Sequence, residues 1–471
     1  MSLGRYGLRK DEKMNYEKID HFSEITPEIT QLAQICEKND NIDPRLYARY
    51  NVKRGLRDAA GKGVLTGLTE IAEVKSYTID DDEMVPCPGR LYYRGYSIDD
   101  LVKGFASERR FGFEETAYLL MFGELPNAAD LDLFRQTLER YRSLPTNFVR
   151  DIIMKAPSMD MMNTLLRSIL TLYAYDSNPD DTSIDNVLRQ CIELVSVTPL
   201  LAVYGYHAFK HYKEGESLFI HPVKEGLSTA ETIFYLLRDD KKYTKLEARV
   251  LDLCLVLHAD HGGGNNSAFT TRVVTSTMTD TYSAMAAALA SLKGPRHGGA
   301  NIKVNAMMDY LEHHVKDWKD DGQIENQLKK IMAGKCFDRR GLIYGVGHAV
   351  YTISDPRAEI LKGFVEKLAK EKGCTEEFEF YKKVEAIAPG VILGKKDSLR
   401  ENMCVNVDFY SGFVYRMLGI PQELFTPVFA IARMAGWSAH RLEEIATGSK
   451  IIRPAYKNVV KHTKYIPMKE R

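Results

Sequence analysis

Four segments gather histidine, arginine, aspartate and glycine more densely than core packing requires. They are LHADHGGGNNSA (Leu257–Ala268), LKGPRHGGAN (Leu292–Asn301), YGVGHAVYTISDPRA (Tyr344–Ala358) and NVDFYSG (Asn406–Gly412). AIARMAGWSAH (Ala430–His440) and KIIRPAYK (Lys450–Lys457) follow. Together they hold five histidines, three aspartates and four arginines, much of it on glycine-rich backbone. Imidazole and carboxylate together are the groups of proton transfer, and guanidinium is the group that grips carboxylates or phosphates in a two-pronged bond. Glycine lets a small ligand approach the main chain.

Two rival uses of the same strings compete with that chemistry. His258 and His261, with Asp260 between them, could be metal ligands on one helical face. No third ligand group accompanies them, and the spacing is not that of HExxH. The runs Gly262–Gly264 and Gly345, Gly347 could suggest a phosphate cradle, yet no GxxxxGK[ST] follows and no GxGxxG opens a βαβ unit. A metal site and a nucleotide-binding fold are both disfavoured.

The elements that must carry these residues read as helix after helix. Apolar residues recur at three and four positions in Ile29–Cys36, Ala129–Leu144, Met161–Tyr175 and Ile184–His211. Strand signals are few: Gly67–Tyr77 and Val85–Gly95, separated by the acidic turn Asp80–Asp82, predict one small hairpin within residues 67–95. The fold class is all-α with that minor sheet. Gly294-Pro295 stops one helix, and His297-Gly298-Gly299 precedes the periodic run Ala300–Trp318, which puts His297 at a helix N-terminus. Asp355 and Pro356 read as N-cap and first residue of a helix over Arg357–Lys372. Pro389-Gly390 reads as a further break, ahead of the loop to Asn406-Val407-Asp408.

Length and charge narrow the class. A chain of 471 residues buries a substantial core and carries about two to three domains. Sixty-four Lys and Arg against sixty-four Asp and Glu leave no general field to recruit nucleic acid or an anionic membrane. No run reaches the ~18 to 20 unbroken apolar residues of a membrane span, and MSLGRYGLRKDEK lacks a secretory apolar core, so a cytoplasmic location is expected. Seven scattered cysteines, never spaced as CxxC, read as reduced structural thiols.

The six motifs, in this order and with LYYRGYSIDDL (Leu91–Leu101) upstream, resemble the motif set of the citrate synthase family over residues 65–460. The resemblance implies an acyltransferase that converts the acyl group into alkyl on transfer, condensing acetyl-CoA with oxaloacetate and hydrolysing the thioester. It requires no cofactor, acetyl-CoA being a co-substrate, and no metal. Asp408 would remove the methyl proton, His297 would hydrogen-bond the thioester oxygen, and His348 would donate to the keto oxygen of oxaloacetate. His261, Arg357, Arg433 and Arg453 would hold oxaloacetate, with Arg453 reaching into the partner's site of a homodimer. Coenzyme A would lie against Gly345, Val346, Gly347, Val391, Leu393, Lys395, Lys396 and Arg400.

A physical argument stands beside the resemblance. A thioester methyl is a weak acid, and a lone Asp with a pKa near ~3.9 cannot deprotonate it unless charge on the oxygen is stabilised at the same moment. A histidine at a helix N-terminus suits that task, because the positive end of the dipole disfavours imidazolium and keeps a neutral N–H donor.

By resemblance the fold has two domains: a large helical one over 41–296 plus 412–471 and a small one over 297–411, after an N-terminal helical extension over 1–40. The sequence departs from the family at Gly262, where an acid is commoner, and at Thr352, where a basic residue is common. 2-Methylcitrate synthase, using propionyl-CoA, is the nearest alternative, since one methylene changes pocket energy by only ~1–3 kcal/mol. A citryl-CoA lyase module and a helical interaction protein without activity are the others. Neither nucleic acid nor membrane is an expected partner.

Overall fold

A computed structural model of the chain describes residues 23–57, 63–80, 83–348, 350–394, 403–448 and 450–471. The chain divides into two units, residues 1–68 and 69–471. In the first, α1 (Pro27–Asn39) opens on the Thr26 hydroxyl, which accepts the Ile29 N–H, with Pro27 in the first turn; α2 (Arg45–Arg49) follows.

The second unit opens with an antiparallel sheet of β1 (Ala72–Asp80), β2 (Glu83–Tyr93) and β3 (Tyr96–Ser97), in that spatial order. Ala72 pairs with Tyr93 and Asp80 with Glu83, with a register shift between Lys75 and Tyr77. The expected hairpin is present; its strands meet closer to the acidic turn, and the short β3 adds a third strand. The inward residues Leu91 and Tyr93 are buried, as the period of two requires.

Helices make up the rest. On one side of the sequence lie α3 (Ile98–Ser107), α4 (Phe113–Phe122), α5 (Ala128–Tyr141), α6 (Met161–Leu172), α7 (Ile184–Phe209) and α8 (Thr229–Leu237). Then come α9 (Lys245–His258), α10 (Asn266–Thr275), α11 (Thr281–Lys293), α12 (Ala300–His314) and α13 (Asp321–Met332). The last four are α14 (Pro356–Lys372), α15 (Thr375–Leu393), α16 (Asp408–Met417) and α17 (Phe425–Ala446). Their starts follow elementary capping. Ser228 with Glu231 and Thr244 with Glu247 form capping boxes for α8 and α9. Asp355 caps α14 with Pro356 in its first turn, and Gly373 ends it in the left-handed region.

The core runs around α17, which packs on α4, α7, α9 and α10 and buries Trp437, Arg433 and Arg441 completely. The helical stretch that starts with α7 and runs on to Glu214 has the length and apolar character of a membrane span, yet most of its apolar part is buried inside the protein, the position of a core helix. A further set, α12 to α16, packs largely among itself, with α12 on α16, α14 on α16 and α13 on α15.

One expected boundary is wrong. Pro389-Gly390 does not break the chain: α15 runs through Pro389 to Leu393. A proline removes one main-chain bond, but Tyr381, Val384, Ala388 and Val391 form a continuous buried stripe whose packing outweighs that loss. The helix from Ala300 is shorter than its periodicity, ending at His314, where Val315 turns extended.

Candidate active site

The turn after α9 presents the first of the expected residues. Helix α9 ends on His258, and Asp260 accepts the Gly262 N–H at 2.8 Å, closing a turn in which Gly262 takes φ +79°. A side chain at 262 would be strained in this left-handed conformation, which glycine adopts freely. The turn rests directly on α17, because a Cβ at Gly436 would lie 2.3 Å from the Ala259 carbonyl oxygen. His258 and His261 therefore do not share a helical face. The His258 ring lies 4.5 Å from that of Phe429, whereas His261 meets His348 at 5.3 Å and Tyr351 at 5.5 Å. Burial, followed by the charge of Arg357, holds His261 well below the ordinary histidine range, so it is a neutral ring. Its Nε2 is buried with no protein partner.

The GVGH and NVD motifs are tied to each other by main-chain pairing. Val346 bridges Val405, Gly347 N–H donates to the Cys404 carbonyl at 2.7 Å, and Asn406 N–H donates to the Gly345 carbonyl at 2.9 Å. Gly345 and Gly347 both have positive φ, and a Cβ on Gly345 would lie 2.7 Å from Val304 Cγ2. His348 emerges from one side of this bridge and Asp408 from the other. Nδ1 of His348 accepts the N–H of Val350 at 2.9 Å and of Tyr351 at 3.0 Å, so in the neutral ring the proton is on Nε2. The Tyr351 ring stacks on it at 4.8 Å.

Asp355 is the hub of the site. It caps α14, pairs with the Arg357 guanidinium through contacts of 3.0 and 2.7 Å, and accepts the Val407 N–H at 3.2 Å. One buried carboxylate thus orients an arginine and the residue before Asp408. Burial pushes the Asp408 carboxyl up to about 6; Asp355 adds to this, while Arg357 and Arg433 oppose it. That is the behaviour of a carboxylate poised to take a proton near neutral pH.

His297 lies in the turn before α12, whose N-cap is Gly299. Its Nε2 is 3.2 Å from Ser267 Oγ, which also takes the Trp437 indole N–H at 3.1 Å and reaches Asn265 Oδ1 at 2.8 Å. Burial and the charge of Arg433 lower His297 to about 4, which keeps the ring neutral. Arg433, fully buried on α17, donates Nε–H to the His258 carbonyl at 2.7 Å, and both terminal nitrogens lack a protein partner. His261 lies in the fields of Arg357, His348, Arg433 and His297, and Asp408 in those of Arg357 and Arg433. The structure therefore gathers His261, His297, His348, Arg357, Asp408 and Arg433 around one place.

Other expected residues are not gathered there. Arg453 is exposed in the irregular segment 450–467, whose Ile452 N–H is held by Ser276 Oγ at 3.1 Å. Val391 and Leu393 belong to the last turn of α15 rather than to the expected loop, and Val391 is buried. Lys395, Lys396 and Arg400 lie outside the described residues. Thr352 buries its hydroxyl without a partner. Among the described residues, no group of three or more His, Cys, Asp or Glu side chains could hold a metal ion.

Sequence reasoning missed supporting residues: Asp355 beyond its capping role, Ser267, Tyr351 and Asp260. Ser267 and Asp260 stood inside a quoted motif, but only proximity in space reveals that they touch His297 and the His261 turn.

The family model described as citrate synthase, C-terminal domain, matches residues 59–455. A citrate synthase of Synechocystis sp. is 35% identical over 388 residues, 81% of this chain and 88% of that protein. A 2-methylcitrate synthase of Shewanella oneidensis is 33% identical over 386 residues, 81% of this chain and 92% of that protein. The ternary complex of a Thermoplasma acidophilum citrate synthase with carboxymethyl coenzyme A and oxaloacetate superposes with a TM-score of 0.72. That match has 26% identity and covers 89% of this chain and 99% of that one.

Proposed function

The chain belongs to the citrate synthase family, and from that premise we propose that its site condenses acetyl-CoA with oxaloacetate and hydrolyses the resulting citryl-CoA to citrate and CoA. The observation that carries this reading is the Arg433 guanidinium, buried with two unpartnered nitrogens beside neutral imidazoles and a carboxylate raised to about 6. Such a guanidinium is completed by a carboxylate ligand.

Oxaloacetate is held by Arg433, Arg357 and His261, and by Arg453 of the partner subunit in a homodimer. His348 donates Nε2–H to the keto oxygen and sharpens the electrophile. Asp408 takes a proton from the methyl group of the thioester while His297 hydrogen-bonds the thioester oxygen. Base and donor act together, so the enolate never stands alone. The new carbon–carbon bond forms at the keto carbon, and water then cleaves the thioester to release thiol. No resident cofactor takes part.

The large and small domains, 41–296 plus 412–471 and 297–411, close over oxaloacetate and exclude water until the condensation is complete. Coenzyme A lies along Gly345–Gly347. The enzyme acts in the cytoplasm.

A second reading, 2-methylcitrate synthase, is favoured by one specific fact: relatives of both names match this chain at 35% and 33% identity. One assay separates the two. Thiol release is followed with oxaloacetate and either acetyl-CoA or propionyl-CoA. A higher kcat/KM with acetyl-CoA is expected, a higher value with propionyl-CoA selects the second reading, and release with neither overturns both.

A further inference from the structure

Behind the His261 turn runs a hydrogen-bonded chain of charged and polar side chains that begins at a buried guanidinium. Arg272 on α10 donates to Glu444 Oε2 at 3.0 Å and to Thr69 Oγ1 at 2.9 Å, and it pairs with Glu443. Its Nε and a terminal nitrogen both point at Nδ1 of His440, at 3.2 and 2.9 Å. A guanidinium has donors only, so Nδ1 must offer its lone pair and the ring proton must be on Nε2. That nitrogen lies 3.1 Å from Asp260 Oδ1, and the other oxygen of Asp260 takes the Gly262 N–H. His440 and Asp260 are fully buried.

The position of this chain matters because Gly262, Gly263 and Gly264 follow His261 directly, the most permissive backbone a turn can have. Something must hold it. A Cβ on Gly263 would lie 3.4 Å from Arg272 Nε and 3.7 Å from His440 Cε1, so the glycine run packs on this pair itself. We propose that His440 is a positioning residue for oxaloacetate. With its tautomer set by Arg272, its Nε2–H anchors Asp260, and Asp260 in turn fixes the turn that presents His261. The proposal rests on the reading of His261 as an oxaloacetate ligand.

The test compares the full-length enzyme with His440→Phe, which keeps a ring but no donor, and His440→Gln, which keeps an N–H donor. Oxaloacetate binding is measured by calorimetry and steady-state constants by thiol release. His440→Phe should raise the oxaloacetate Kd and KM about tenfold, the effect of one charge-assisted hydrogen bond, while the acyl-CoA KM at saturating oxaloacetate stays within about twofold. His440→Gln should recover most of the loss. A folded His440→Phe protein with lowered Tm but unchanged oxaloacetate Kd would overturn the proposal, since a role in stability alone predicts that result. If His440→Phe does not fold, Arg272→Lys decides: the same rise in oxaloacetate Kd supports the chain, and an unchanged Kd rejects it. Wild-type enzyme that does not bind oxaloacetate would instead overturn the functional reading beneath it.

Discussion

Arg433 donates its Nε–H to the carbonyl of His258 at 2.7 Å, and that single contact aims the remaining guanidinium face into the site. The two terminal nitrogens are buried with no protein partner, at a cost of about 1–3 kcal/mol for each unsatisfied group. On the proposed function, binding of a dicarboxylate would relieve that cost and so link ligand affinity to protein stability.

Oxaloacetate at a hundredfold excess over its Kd should therefore stabilise the folded enzyme by about 2.7 kcal/mol, read as a rise in Tm. Arg433→Lys preserves charge but not the fork, and should weaken oxaloacetate binding by about tenfold or more in calorimetry. Unchanged affinity in that variant would remove Arg433 from the ligand set.

The pH dependence follows from the carboxyl of Asp408, raised to about 6. Only the ionised form is a base, so kcat/KM for the acyl-CoA should fall about tenfold per pH unit below about 6. His297, held at about 4, stays neutral across that range and adds no second limb there. Asp408→Asn should lose condensation by several orders of magnitude while still binding oxaloacetate. The stability sign is opposite. A carboxyl whose folded pKa is raised stabilises the protein while it is protonated and loses that contribution as pH rises through about 6. Asp408→Asn should thus melt higher than wild type at pH 7, and the difference should vanish near pH 4. Equal Tm values at pH 7 would contradict the raised pKa.

Arg453 is exposed in one copy of the chain, on a segment without regular structure. If it completes the site of a second copy, Arg453→Ala and Arg433→Ala should each be nearly inactive, and mixed dimers should regain up to about a quarter to a half of wild-type activity, since one of two sites is then intact in each mixed pair. No recovery in confirmed mixed dimers would exclude a shared site.

Gly345→Ala tests the bridge between the GVGH and NVD motifs. The residue has φ +77°, and a Cβ would lie 2.7 Å from Val304 Cγ2 and 3.0 Å from Phe409 Cδ2. Left-handed strain alone costs about 1–3 kcal/mol, and the Phe409 contact sits next to Asp408. Chemical denaturation should show that loss, and turnover should fall with it. Wild-type stability in the variant would mean the bridge tolerates movement.

Much of this protein was legible in the order of its residues. Periodic apolar spacing located the principal helices, since a helical stripe must be buried whatever its partner. Asp355-Pro356 announced the start of α14, because capping is a local matter. The six motifs pointed to the family, and the resemblance, not their spacing, assigned roles to His261, His297, His348, Arg357, Asp408, Arg433 and Arg453.

What the sequence could not decide is what depends on distant contacts. The helix through Pro389 persists because its buried stripe is packed from elsewhere, and no local rule predicts that outcome. The left-handed turn at Gly262, with φ of +79°, is set by the Asp260 carboxylate and the packing of α17 rather than by any local signal. The tautomer of His348, the unpartnered nitrogens of Arg433 and the chain from Arg272 through His440 to Asp260 arise only in three dimensions. A local pattern can specify which groups are available, whereas burial and hydrogen-bond direction, which set their protonation and aim, are properties of the packed whole.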